Sequence, residues 1–73
     1  MDEQSRKDIR RLLKTFGIQA DEAIMAQLAS NPQVEKLHLR VTLEDLTDYD
    51  PDNLVTPLRL QVEDTIQHEQ ANN

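Results

Sequence analysis

The chain has 73 residues, no cysteine and a net charge of −6, which limits it to one small domain without disulfide bonds. No apolar run approaches the roughly 20 residues of a membrane span, and the charged N-terminus lacks a signal-peptide pattern, so we expect a cytoplasmic protein that does not enter membranes. With Phe16 and Tyr49 as the only aromatic residues, the chain has almost no platform on which bases could stack.

An amphipathic helix is predicted near residues 4–16. Four apolar residues follow the i, i+3, i+4, i+7 spacing of one helical face: Ile9, Leu12, Leu13 and Phe16. Ser5 is the expected N-cap because its hydroxyl can accept a hydrogen bond from a free backbone N–H group. Gly17, the only glycine in the chain, is expected to end the helix as a left-handed C′ residue.

A second, shorter helix is predicted near residues 21–30. Asp21 is its expected N-cap, and Ala23, Ile24 and Leu28 form its apolar face. The Asn31-Pro32 dipeptide should end this helix, because the residue before a proline is disfavoured in the helical region. The short linker between the two predicted helices favours a helical hairpin.

Two segments with alternating polarity predict strands near residues 36–44 and 57–64. The apolar residues at every second position are Leu37, Leu39, Val41 and Leu43 in the first segment, and Leu58, Leu60 and Val62 in the second. Pairing residues whose numbers sum to 101 places apolar side chains opposite one another and opposes no like charges. Both segments also contain apolar residues four apart, so a small all-α bundle is the alternative.

The predicted fold is therefore α+β, with an N-terminal helical hairpin packed on a C-terminal antiparallel β-hairpin. We expect a single domain over residues 1–73 whose polar tail, residues 67–73, is frayed. The predicted core consists of Ile9, Leu12, Leu13, Phe16, Ile24, Leu28, Leu39, Val41, Leu60 and Val62.

The sequence contains little that indicates catalysis or metal binding. Asp48, Asp50 and Asp52 have the spacing of the first ligands of a calcium loop, but Arg59 occupies the position of the closing glutamate. His38 and His68 are thirty residues apart in the sequence, without the ligand spacing of a zinc site. No nucleophile motif or phosphate-binding glycine loop is present. We therefore predict no enzyme activity, no cofactor and no metal site.

The charge distribution indicates an interaction protein. Residues 1–20 carry five basic and three acidic side chains, whereas residues 21–73 carry three basic and eleven acidic ones. We predict a small acidic protein–protein interaction or regulatory module, whose candidate surface consists of Arg6, Arg10, Lys14, His38, Arg40 and Arg59. The alternative is a nucleic-acid-associated protein that uses the basic first helix, ranked second because the acidic remainder repels phosphates.

Self-association through a strand edge is also predicted. The first strand contains no proline or glycine between Leu37 and Leu43, so its free N–H and C=O groups can pair with a second copy. Such pairing would form a four-stranded sheet across a two-fold axis.

Overall fold

A computed structural model describes residues 2–69 of the chain. It contains one helix, α1 (Glu3–Ser30), followed by two strands, β1 (Lys36–Glu44) and β2 (Arg59–Gln67), which form an antiparallel two-stranded sheet. The predicted α+β class is confirmed. The chain divides between Val34 and Glu35 into two compact units, a helical unit and a hairpin unit.

The predicted helical hairpin is wrong, because α1 runs without interruption through Gly17 and Asp21. No residue between 2 and 69 has a positive φ, so Gly17 is not a left-handed C′ residue. A glycine inside a helix costs only about 1 kcal/mol relative to alanine. The apolar spacing continues past Gly17 at Ala20, Ile24 and Leu28, so one amphipathic helix includes both segments that were predicted as separate helices.

The two ends of α1 are capped by side chains and backbone groups. Asp2 is the N-cap, and its carboxylate accepts a hydrogen bond from the backbone N–H of Ser5 at 2.7 Å. The prediction that Ser5 caps the helix is therefore wrong, since Ser5 lies in its first turn. Asn31 is the C-cap, and its N–H donates to the Leu28 carbonyl at 3.2 Å. The predicted end of the helix before Pro32 is confirmed.

The hairpin forms, but its register differs from the prediction. β1 covers residues 36–44 as expected, whereas β2 lies two to three residues later than predicted, and facing residues sum to 103. Leu43 thus faces Leu60, Val41 faces Val62, and Leu37 faces Ile66. The backbone bonds from Asp45 to Leu58 and from His68 to Glu35 keep the same register at both ends.

The pairs on the polar face favour the observed register. Arg40 faces Glu63, and Glu44 faces Arg59, so opposite charges meet where the predicted register placed Arg40 opposite a glutamine. Opposite-charge cross-strand pairs contribute roughly 0.2–1 kcal/mol each. On the apolar face this arrangement places Asp64 opposite Leu39, a mismatch that the predicted register avoided.

Most of the predicted core is not buried. Leu28 is buried at 7% exposure, Ile24 and Leu39 are half-buried, and the remaining seven are exposed: Ile9, Leu12, Leu13, Phe16, Val41, Leu60 and Val62. The described residues of the helical unit contain one helix and those of the hairpin unit contain one sheet, so neither unit supplies a second layer of its own.

Of the tail expected to fray, residues 67–73, Gln67 is the last residue of β2 and residues 68 and 69 follow the strand, whereas residues 70–73 lie outside the described residues. Within residues 2–69, no helix has the length and apolar character needed to cross a membrane. The single-domain organisation stays a prediction.

Candidate interaction surfaces

The main apolar surface of the helical unit is a continuous stripe along α1. It advances by three or four residues at each step, the spacing that keeps side chains on one side of a helix. This apolar stripe consists of Ile9, Leu12, Leu13, Phe16, Ala20, Ala23, Ile24 and Leu28. The side chains of Ile9 and Phe16 are 49% and 48% exposed, and Leu12 and Leu13 are 59% and 56% exposed. The N-terminal half of the stripe thus presents large apolar side chains to solvent.

A charged row runs beside the apolar stripe. Arg10 and Lys14 are four residues apart, and Asp21 follows seven residues later, which places all three on the same flank of the helix. All three are exposed. Arg6, four residues before Arg10, extends the basic part of this row. The flank is therefore basic in the first half of α1 and acidic in the second half.

Two other charged residues of α1, Arg11 and Glu22, lie away from the charged row. Arg11 forms an exposed salt bridge with Asp8 at 3.0 Å, one helical turn away. A surface pair of this kind contributes at most about 1 kcal/mol. The acidic Glu22 lies away from the apolar stripe, on the opposite side of the helix from Arg6.

The candidate residues of the hairpin are arranged in cross-strand pairs. Arg40 Nε donates to Glu63 Oε2 at 2.7 Å, and His38 Nδ1 lies 3.0 Å from Thr65 Oγ1. Arg59 faces Glu44 at the end of the sheet next to the long loop. The Arg40–Glu63 and His38–Thr65 pairs form much of the wall of an open hollow of about 470 Å³ on the sheet. The predicted surface is therefore divided between the two units, with Arg6, Arg10 and Lys14 in one and the three hairpin residues in the other.

A carboxylate that sequence reasoning missed closes the hairpin loop. Asp45 Oδ2 accepts hydrogen bonds from the hydroxyl of Tyr49 and from the N–H of Leu58, the latter at 3.0 Å, and Oδ1 accepts from the N–H of Thr47 at 3.0 Å. These donors, the Tyr49 hydroxyl foremost, hold the pKa of Asp45 far below its ordinary value of 3.8. The same contact raises the pKa of Tyr49 above 10.0. Residues 45–47 thus form a side-chain turn, in which the Asp45 carboxylate bonds the backbone N–H two residues later.

The acidic loop uses its carboxylates to form turns. Asp50 Oδ1 accepts from the N–H of Asp52 at 3.0 Å, and the Asp50 carbonyl accepts from Asn53 at 2.9 Å. Across residues 2–69 no three carboxylate, histidine or cysteine side chains converge as metal ligands would. The expectation that Asp48, Asp50 and Asp52 do not bind calcium tightly stays a prediction.

The two strands also leave free backbone edges. Each strand has one neighbour in the sheet, so the outer edge of each carries unpaired groups. Glu35 accepts from His68, and Asp45 donates to Leu58, so odd-numbered β1 residues form the hydrogen-bonded pairs of the ladder. The even-numbered residues, including His38, Arg40 and Thr42, therefore direct their backbone N–H and C=O groups outward.

Comparison of the chain with protein-family models finds no matching family, and comparisons with curated proteins and with solved structures find no similar protein.

Proposed function

We propose that the chain is a small acidic interaction module without catalytic activity, acting in the cytoplasm. The observation that carries the proposal is the apolar stripe of α1, whose large side chains at Ile9, Leu12, Leu13 and Phe16 are about half exposed. A row of exposed apolar side chains on one side of a helix is the surface that helix-in-groove and helix–helix recognition uses. Large exposed apolar patches are rare on monomeric proteins and mark interaction sites.

The flanking charges support recognition of a protein rather than a lipid or a small ligand. The row beside the stripe changes sign between Lys14 and Asp21. A partner must therefore place acidic groups near the first half of α1 and basic groups near the second half. Such charge patterning sets orientation and association rate.

A matched pair of variants tests this function. Full-length chain is immobilised and used to capture proteins from a cell lysate, with the double variant Leu12→Gln and Phe16→Gln beside it. The control is Ile18→Gln and Met25→Gln, since these residues are 54% and 60% exposed but lie on the opposite side of α1. We expect the stripe variant to lose captured proteins that the control retains. Identical capture by all three chains would overturn the proposal.

As the alternative route of self-association, we propose that the outer edge of β1 pairs with β1 of another copy. Thr42 directs its N–H group toward the free edge, so Thr42→Pro should block pairing there while leaving the hairpin ladder in place. Sedimentation equilibrium is the measurement. An unchanged association constant in Thr42→Pro would rule out the strand-edge dimer.

Nucleic-acid association through α1 is the second candidate function. It is favoured by the i, i+4 spacing of Arg6, Arg10 and Lys14, which aligns three exposed cations on one side of the helix. The net charge of −6 opposes it. Binding of duplex DNA that weakens steeply with salt and disappears in Arg10→Glu with Lys14→Glu would support this function. No binding at low salt would exclude it.

A further inference from the structure

We propose that the partner of the apolar stripe is a second copy of this chain, with α1 of one copy packed antiparallel on α1 of the other. This inference rests on the proposed interaction function and names its partner. Its basis is that the stripe and its charged flank are complementary to themselves when one helix is reversed, which is the requirement for a two-fold symmetric interface.

The first complementarity is one of size. Without Leu28, which is already buried, the stripe runs from Ile9 to Ile24 and has its midpoint between Phe16 and Gly17. A two-fold axis at that point places facing residues at numbers that sum to 33. Leu13 then lies at the level of Ala20 of the second copy, and Ala23 of the second copy lies between Ile9 and Leu13. Leu13 thus meets small residues of the second half, while Ile9 lies at the level of Ile24. Such alternation of large and small residues lets two helices interdigitate.

The second complementarity is one of charge. In an antiparallel two-fold pair, each flank of one helix faces the same flank of the other. Asp21 of the second copy lies at the level of residue 12, between Arg10 and Lys14 and about 3 Å along the axis from each level. Residues 2–15 carry five basic and three acidic side chains, whereas residues 16–30 carry Asp21 and Glu22 and no basic residue. Reversal therefore brings oppositely charged halves together, and a parallel pair would bring like halves together.

These two properties favour a second copy over an unrelated partner. A parallel pair would also place Phe16 opposite Phe16 and Ala20 opposite Ala20. The large side chains would then be crowded at one level, and the small ones would leave a gap at the next. The antiparallel pair instead covers the exposed Ile9, Leu12, Leu13 and Phe16 of both copies at once.

Charge reversal followed by mixing tests the inference on the full chain. We expect sedimentation equilibrium of the wild-type chain to approach twice the chain mass of 8.4 kDa. Asp21→Lys should weaken association by roughly tenfold, because it adds a lysine between two cations. The double variant Arg10→Glu with Lys14→Glu should do the same by placing two glutamates beside Asp21. An equimolar mixture of the two variants should recover association, since each basic flank then faces an acidic one.

The control separates the proposed interface from general charge effects. Glu22→Lys makes the same change in net charge one residue away but lies off the stripe, so its association should equal that of the wild type. Helix content measured by circular dichroism should match in all variants, and recovery in the mixture shows that both fold.

Two results would overturn the inference. One is a wild-type mass of 8.4 kDa at every concentration, and the other is an association that Asp21→Lys leaves unchanged. If the wild-type chain is monomeric but still captures other proteins through Leu12 and Phe16, the second copy is excluded and the interaction function remains. If capture through these residues also fails, both are excluded.

Discussion

At the scale of single residues, Gly17 gives a direct test of the continuous helix. A Cβ at this position would occupy open space, with nothing beyond its own helical turn within 4 Å, and φ is not positive there. Alanine is favoured over glycine in a helix interior by about 0.5–1 kcal/mol. We therefore expect Gly17→Ala to increase the free energy of unfolding by about that amount in urea denaturation followed by circular dichroism. A loss of stability would instead indicate a left-handed residue that ends the helix.

The contact between Asp45 and Tyr49 predicts a specific titration behaviour. Because the carboxylate accepts the Tyr49 hydroxyl, the pKa of Tyr49 lies above its ordinary value of 10.0. The stabilisation from this contact is present below pH 10 and is lost as the pH rises through the raised pKa. Tyr49 is the only tyrosine and no tryptophan is present, so ultraviolet absorbance reports this group alone.

Asp45→Ala should return the tyrosine titration toward pH 10, whereas Asp50→Ala should leave it as in the wild type, since Asp50 bonds only within its own turn. Equal titration curves for the wild type and Asp45→Ala would show that the loop is not closed by this carboxylate.

At the scale of elements, Asp64 is the one charged residue on the apolar face of the sheet. It lies on the apolar face opposite Leu39, where a β-branched side chain would pack. Charges on the apolar face of a strand also limit pairing with other chains. We expect Asp64→Val to raise the free energy of unfolding by about 0.2–1 kcal/mol and to increase aggregation in light scattering. Glu63→Val is the control, because it removes the partner of Arg40 on the polar face and should not stabilise the hairpin.

The elements also show where sequence reasoning succeeded and where it failed. Alternation placed β1 at residues 36–44, and Asn31-Pro32 located the end of α1, because both signals are local. The prediction that Gly17 ends the helix was wrong, because a glycine after an apolar stripe is also compatible with a longer helix. The apolar spacing that continues at Ala20, Ile24 and Leu28 indicates that longer helix. The predicted register was wrong by two residues, because it followed from apolar matching, whereas the observed register pairs Arg40 with Glu63.

The candidate surface was only partly predictable for a related reason. Arg6, Arg10 and Lys14 were identified by their charge and lie on one flank of α1. The large residues of the apolar stripe were predicted as core, since sequence periodicity shows which residues share a face but not what covers that face. The role of Asp45 depends on a hydrogen bond to Leu58, thirteen residues away, which no local pattern reports.

At the scale of the whole molecule, the scarcity of buried apolar residues predicts that folding depends on association. Leu28 is the one buried apolar residue among those described, whereas a stable domain usually needs a continuous core. Pairing of two stripes would remove the exposed side chains of Leu12, Leu13 and Phe16 from water, at roughly 25 cal/mol for each Å² buried. Stability should then follow protein concentration, because only the folded chain associates.

We expect the melting temperature of the wild-type chain to rise with concentration, with a gain in apparent stability of about 1.4 kcal/mol for each tenfold increase. Circular dichroism melts over a wide concentration range measure this directly. Leu12→Gln with Phe16→Gln should lower the melting temperature and remove its dependence on concentration, while Ile18→Gln with Met25→Gln should preserve it. A melting temperature that stays constant for the wild type would mean that each chain reaches its stability alone, through contacts that the exposed stripe does not provide.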